Sequence, residues 1–129
     1  MDFQKIVVCV IEDNKPVNKL LSTVLTKAGF ECISFFNGQD SLEWFKDNKP
    51  SVIIIDILLP DILGTQLIEQ IKNLPDYDEI PKIAISGLSG NLTREKILES
   101  GFDYFISKPV NITSFPDEIE KIIKSKTKL

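Results

Sequence analysis

Histidine is missing altogether: the count is 0 in 129 residues. That removes the Ser-His-Asp triad, the HExxH zinc site and the C2H2 finger. It also means that the chain cannot supply its own phosphohistidine. Cysteine is scarce, with Cys9 and Cys32 far apart in apolar stretches. They form neither a CxxC pair nor a disulfide framework, and read as buried, reduced thiols. No long hydrophobic run exists. The longest, Ile6 to Ile11, falls far short of the ~20 residues of a membrane helix. No signal peptide precedes it, so the Asn-x-Thr triplets at Asn91 and Asn111 read as chance and the chain as cytoplasmic. A basic excess is missing too. Acidic residues number 19 and basic residues 15, for a net charge of -4, which argues against a nucleic-acid binder. Any chemistry must therefore run on carboxylates, hydroxyls, lysine or a metal held by oxygens.

What is present is an alternation. IVVCVI (6–11), ECISFF (31–36), SVIII (51–55), KIAIS (82–86) and DYFIS (103–107) are short and β-branched or aromatic. Such runs predict strands buried on both faces. Helical spacing fills the gaps. Val17, Leu20, Leu21, Val24, Leu25 and Ala28 make one stripe, with Asn14 as N-cap and Gly29 as the stop. A second helix follows Asn37-Gly38 and buries Leu42 and Phe45. A third follows Gly64 and buries Leu67, Ile68 and Ile71. A fourth runs from about Thr93 to Ser100, burying Ile97 and Leu98. A fifth takes Ser114 as N-cap, Pro116 in its first turn, and Ile119, Ile122 and Ile123 as its buried stripe. Lys121, Lys124, Lys126 and Lys128 then read as a solvated helix end favoured by the macrodipole. Five strands alternating with five helices specify an α/β fold, a doubly wound parallel sheet with helices on both faces. The chain reads as one domain over 1–129, with no output domain.

In such a sheet the functional residues sit at the carboxyl ends of the strands. The first strand ends in Glu12-Asp13 and the third in Asp56. Clustered carboxylates repel unless a cation neutralises them, and oxygen-only ligands suit Mg²⁺ or Mn²⁺. One acid could simply favour a helix start. Asp56 cannot be dismissed that way, because it is embedded in VIIIDILLP, where an unpartnered acid is costly. The fourth strand ends in Ser86-Gly87 and the fifth in Ser107-Lys108-Pro109. Acids, a metal, a hydroxyl and a lysine together make a site for a phosphoryl group on oxygen, with one carboxylate as nucleophile.

Four pieces, VIEDN (10–14), VIIIDILLPDILG (52–64), IAISG (83–87) and SKP (107–109), occur in this order over nearly the whole chain. In this respect the chain resembles the receiver domain of two-component response regulators. The resemblance implies a flavodoxin-like sheet of strand order 2-1-3-4-5. It implies Asp56 as phosphoacceptor, with Mg²⁺ held by Glu12, Asp13, Asp56 and the backbone carbonyl of Leu58. Lys108 would pair with the acceptor and then with the phosphoryl group. Ser86 would be the switch hydroxyl and Phe105 the switch aromatic, and the Lys108–Pro109 bond would be cis. Leu58 and Leu88 would flank the path of the attacking water and slow autohydrolysis. The expected phosphodonor is a sensor histidine kinase or histidine phosphotransfer protein. Output is expected on the face of the fourth helix, fifth strand and fifth helix, through Arg94, Lys96, Tyr104 and Lys121. There a downstream protein or a second copy of the chain would dock, without direct contact to nucleic acid or membrane. The module is not expected to turn over an external substrate. A stand-alone regulator and a receiver from a hybrid kinase or larger regulator both fit, the Met1 start slightly favouring the first. Two other classes compete. An aspartyl-phosphate hydrolase of the haloacid dehalogenase type would show DxDxT where Glu12-Asp13-Asn14 stands. A flavodoxin-like flavin binder would want a Ser/Thr-rich loop there.

Overall fold

The computed structural model describes residues 6–87 and 93–127. Leu88, Asn91 and Lys128 lie outside the described residues. Strands β1 (Val7–Ile11), β2 (Glu31–Phe35), β3 (Val52–Asp56), β4 (Lys82–Ser86) and β5 (Tyr104–Ser107) alternate with helices. These are α1 (Lys15–Lys27), α2 (Gly38–Phe45), α3 (Gly64–Lys72), α4 (Arg94–Glu99) and α5 (Phe115–Thr127). All strand pairs are parallel, and the sheet order is β2-β1-β3-β4-β5. Strand order reverses between β1 and β3, so Glu12, Asp13 and Asp56 end neighbouring strands.

Alternate side chains of each strand enter opposite layers, as the period of two requires. Cys9, Ile11, Ile53, Ile55 and Ala84 face α2, α3 and α4, through Phe45, Leu67, Ile68, Ile71 and Ile97. Val8, Val10, Val52, Ile54, Ile83 and Ile85 face α1 and α5, through Leu21, Leu25, Phe115 and Ile119. Each fully buried Ile or Leu contributes ~1.5–3 kcal/mol of transfer free energy, so β1 and β3 anchor the molecule. The sheet also separates the two thiols: Cys9 is in one layer and Cys32 packs against the other. Both are free, and burial pushes both up, away from the reactive thiolate.

Helix starts follow the expected chemistry. Asn14 Oδ1 accepts from Val17 N–H at 3.0 Å, and Asn37 Oδ1 accepts from Asp40 N–H at 2.8 Å. Gly29 takes φ 107, the left-handed turn that ends α1. Three expectations are corrected. The buried face of α1 is Asn18, Leu21 and Leu25, while Leu20 is 47% exposed. The apolar stripe is wider than the face that the sheet covers. Ser114 precedes α5 as expected, but its hydroxyl donates to the Asn111 carbonyl (3.4 Å). Tyr104 is half-buried against the α1–α5 layer rather than exposed, and its hydroxyl donates to Ser125 Oγ at 3.3 Å. Arg94, Lys96 and Lys121 are exposed.

Candidate functional site

Strand register brings the acids together. Ile11 pairs with Ile55, so the residues that follow, Glu12 and Asp56, leave adjacent strands at the same level. One carboxylate oxygen each of Glu12, Asp13 and Asp56 lies within 4.8 Å of the others. Glu12 and Asp56 are buried and Asp13 is exposed. Lys108 directly follows β5, and a cis peptide joins it to Pro109. Its Nζ is 3.1 Å from Asp56 Oδ2 and 3.0 Å from Glu12 Oε1. The contact with Asp56 is a hydrogen bond, whereas the one with Glu12 is charge contact alone. Glu12 Oε1 is thus a buried acceptor without a hydrogen bond. Its other oxygen, Oε2, takes the Asn14 N–H at 3.1 Å. Asp56 Oδ1 takes the Leu58 N–H at 3.1 Å, so both oxygens of Asp56 are held.

The electrostatics of the cluster are unbalanced. Burial pushes the Glu12 carboxyl up to about 7, helped by the adjacent Asp56 and opposed by the Asn14 amide and Lys108. Partial burial pulls Lys108 down, but the carboxylates of Glu12 and Asp56 outweigh it and the net shift is upward. One ammonium cannot neutralise three carboxylates. The Glu12 oxygen that has only the Lys108 ammonium for company and the all-oxygen donor set fit a hard divalent cation such as Mg²⁺. Ser86 ends β4 one residue beyond Ile85, the register partner of Asp56. It is buried, and its hydroxyl donates to the neighbouring Gly87 carbonyl at 3.1 Å rather than to Asp56. Phe105 is half-buried against the layer under α4. Leu58 is 56% exposed at the mouth of the site.

Gly64 closes the loop that follows Asp56. Its N–H donates to the Ile57 carbonyl at 2.7 Å. A Cβ there would lie 2.8 Å from Ile57 Cα and 3.1 Å from the Asp56 carbonyl oxygen, so only glycine lets α3 start so close to Asp56. Sequence reasoning missed Asn18. Its Nδ2 donates to the carbonyls of Glu12 (2.9 Å) and Phe35 (3.1 Å), and its Oδ1 accepts from Ser22 Oγ (3.3 Å). This buried amide ties the ends of β1 and β2 together and fixes the backbone under the first two acids. An amide amid the apolar stripe of α1 was the signal.

The raised Glu12 carboxyl predicts a pH dependence in metal-free protein. The folded state binds this proton more tightly than the unfolded chain, where the ordinary value is about 4.3. Between there and about 7 the folded state holds more protons, so stability falls as pH rises. Melting temperatures should drop between pH 5 and 7.5, and Glu12→Gln should flatten that slope. Millimolar Mg²⁺ should recover the loss at pH 7.5 and do little at pH 5. Equal slopes in wild type and Glu12→Gln would remove Glu12 as the source.

Comparison with known proteins agrees with this geometry. Residues 8–120 match the response regulator receiver domain family. Histidine kinase P4 of Formosa agariphila is 31% identical over 126 residues, covering 98% of this chain and 9% of that protein. The polar-differentiation response regulator DivK of Brucella anthropi is 28% identical, over 90% of this chain and 94% of that protein. The CheY-like receiver structure from Methanospirillum hungatei shares the fold, with a TM-score of 0.87 at 23% identity, covering 97% and 98% of the two chains. The receiver domain of a histidine kinase from Syntrophus aciditrophicus gives 0.86 at 25% identity, covering 95% and 93%. With five parallel strands in the order 2-1-3-4-5 and this family match over most of its length, the chain belongs to the response regulator receiver domains of two-component systems.

Proposed function

We propose that Asp56 accepts a phosphoryl group from a partner's phosphohistidine and that the resulting charge rearranges a protein-docking face. The observation that carries this reading is the buried Asp56 carboxylate, held by Lys108 Nζ at 3.1 Å and Leu58 N–H at 3.1 Å, beside two further acids. Because these 129 residues hold no histidine, the donor phosphohistidine lies outside them, on a sensor histidine kinase or a histidine phosphotransfer protein. An Asp56 oxygen attacks phosphorus, and the P–N bond to the donor imidazole breaks with its electron pair returning to nitrogen. An aspartyl phosphate forms. Glu12, Asp13, Asp56 and the Leu58 carbonyl would hold Mg²⁺, which would supply charge neutralisation for the transferred group. Lys108 follows the charge from carboxylate to phosphoryl oxygen. The product returns to free Asp56 by slow hydrolysis, and no external substrate is turned over. The setting is the cytoplasm, where such kinases present their phosphohistidine.

Output follows from the spare hydroxyl. Among the described residues Ser86 Oγ donates to the adjacent Gly87 carbonyl alone, so it can turn to donate to a phosphoryl oxygen on Asp56. That vacates space beside β4, and Phe105 moves inward to fill it, a gain in buried apolar area. The altered face comprises α4, β5 and α5, with Arg94, Lys96 and Lys121 exposed on it. A downstream protein or a second copy of the chain docks there.

Acetyl phosphate with Mg²⁺ should add one phosphoryl group, seen by intact mass and mapped to Asp56. Asp56→Asn should lose it, and a chelator should stop the reaction. Normal labelling of Asp56→Asn would sink the assignment. For the switch, a beryllofluoride mimic bound at Asp56 should alter amide exchange over 93–107, and Ser86→Ala should label normally yet lose that change. Unchanged exchange in wild type with the mimic bound rules the mechanism out. For lifetime, Leu58 covers the mouth of the site with no group to orient water, so Leu58→Asn should shorten the aspartyl-phosphate half-life severalfold. An unaltered half-life in that variant counts against the shielding idea.

A further inference from the structure

The loop that follows Asp56 is tied down twice. Within itself, Leu58 and Leu63 form an antiparallel bridge, and Gly64 N–H closes on the Ile57 carbonyl at 2.7 Å. Residues 58–63 are therefore a closed excursion with Asp61 between its two arms. The second tie runs to another element. Asp61 Oδ1 accepts from Gly38 N–H at 2.9 Å, and Oδ2 accepts from Gln39 N–H at 2.8 Å. These are the first two amides of α2, which have no partner within their own helix.

Helix α2 already has a local cap in Asn37, so it does not need a distant acid to begin. The fit between loop and helix is also close. A Cβ on Gly38 would lie 2.5 Å from Ile62 Cγ2, so glycine is what lets the loop reach α2. Slight burial pushes the Asp61 carboxyl up, but the Gly38 and Gln39 amides outweigh this and hold it below its usual range. It stays ionised and keeps both bonds.

We propose that Asp61 is a positioning residue for the chemistry at Asp56: it clamps the acceptor loop onto α2 and thereby fixes Leu58. Leu58 N–H holds Asp56 Oδ1 at 3.1 Å, and its carbonyl is the proposed backbone ligand of the metal. The inference rests on the reading of Asp56 as acceptor. Asp61 acts through the loop and is assigned no contact with metal or phosphoryl group. Releasing it lets the loop shift, which loosens the Asp56 rotamer and the oxygen of Leu58 together. The clamp also reaches the other acids. The Phe35 carbonyl, just before α2, takes both Asn18 Nδ2 (3.1 Å) and Glu12 N–H (3.0 Å). Asn18 and Asp61 thus interlock the loops after β1, β2 and β3.

The test uses Asp61→Ala, Asp61→Asn, Gly38→Ala and the pair Gly38→Ala with Ile62→Ala. Four quantities are read: melting temperature, amide exchange at Gly38 and Gln39, the Mg²⁺ dissociation constant by amide shift titration, and the acetyl phosphate labelling rate at saturating Mg²⁺. Asp61→Ala should speed exchange at both amides, weaken Mg²⁺ about 10-fold and slow labelling by a similar factor. Gly38→Ala keeps Asp61 but pushes Ile62 away, so it should reproduce the loss of Mg²⁺ affinity. Adding Ile62→Ala should restore it. Faster exchange in Asp61→Ala, with Mg²⁺ affinity and labelling within about twofold of wild type, would make Asp61 a helix cap only and overturn the proposal. If neither Asp61 variant folds, the Gly38 pair decides: Mg²⁺ affinity unchanged by Gly38→Ala refutes the clamp, and loss with recovery supports it. If wild type takes no phosphoryl group at all, the acceptor reading falls, and the Mg²⁺ titration still decides the clamp.

Discussion

Three carboxylates held within 4.8 Å of one another, with one lysine among them, are the constraint on which the rest of the structure depends. Left to themselves, Glu12, Asp13 and Asp56 would move apart, or Glu12 would take up a proton. The protein prevents the first by building the cluster on the stiffest part of the sheet. Strands β1 and β3 are adjacent, parallel and covered on both faces, and the acids leave them where strand order reverses. The stabilisation comes from apolar burial well below the rim, and it is large enough to hold an unfavourable charge arrangement above it.

The second consequence of crowding is chemical. Protonation of Glu12 relieves the repulsion at low pH, and Lys108 relieves part of it for as long as its ammonium keeps its proton. A divalent cation relieves it more fully because it matches the charge and the oxygen ligands. Lys108 apart, the groups that tie down the acids are neutral or aimed elsewhere. Asn18 holds backbone carbonyls of β1 and β2, the Leu58 amide holds one Asp56 oxygen, and Asp61 spends its charge on α2. The positioning machinery therefore adds no further charge at the site. Ser86 differs from these. It is buried near Asp56, and among the described residues its hydroxyl has a neighbouring carbonyl as sole partner, a bond that is easily exchanged.

Much of this could be read from the chain. Runs such as IVVCVI and SVIII have too few polar residues for a one-sided strand, so they specify a sheet covered on both faces. Asn14 and Asn37 mark helix starts by local chemistry, and both caps are present. The acids, Ser86 and Lys108 are visible because polar residues at the ends of apolar runs need a partner. Other features were hidden. Leu20 and Leu21 look alike in a helical stripe, yet one is 47% exposed and the other buried. Lys82 looks like a polar strand edge, yet it is buried, with Nζ donating to the carbonyls of Tyr77 (2.7 Å) and Ile80 (2.8 Å).

The division has a physical cause. Periodicity, caps and turn residues act over a few positions, so the sequence by itself determined the elements, their alternation and the acids at the strand ends. Register and loop closure act between residues far apart in the chain. Only the tertiary structure decided that Glu12 Oε1 is left without a hydrogen bond, that Asn18 joins two strand ends, and that Asp61 reaches α2. Each of those depends on which backbone amide or carbonyl lies opposite a given side chain. That is set by the packing of helices on the sheet, to which every core residue contributes and which no short motif encodes.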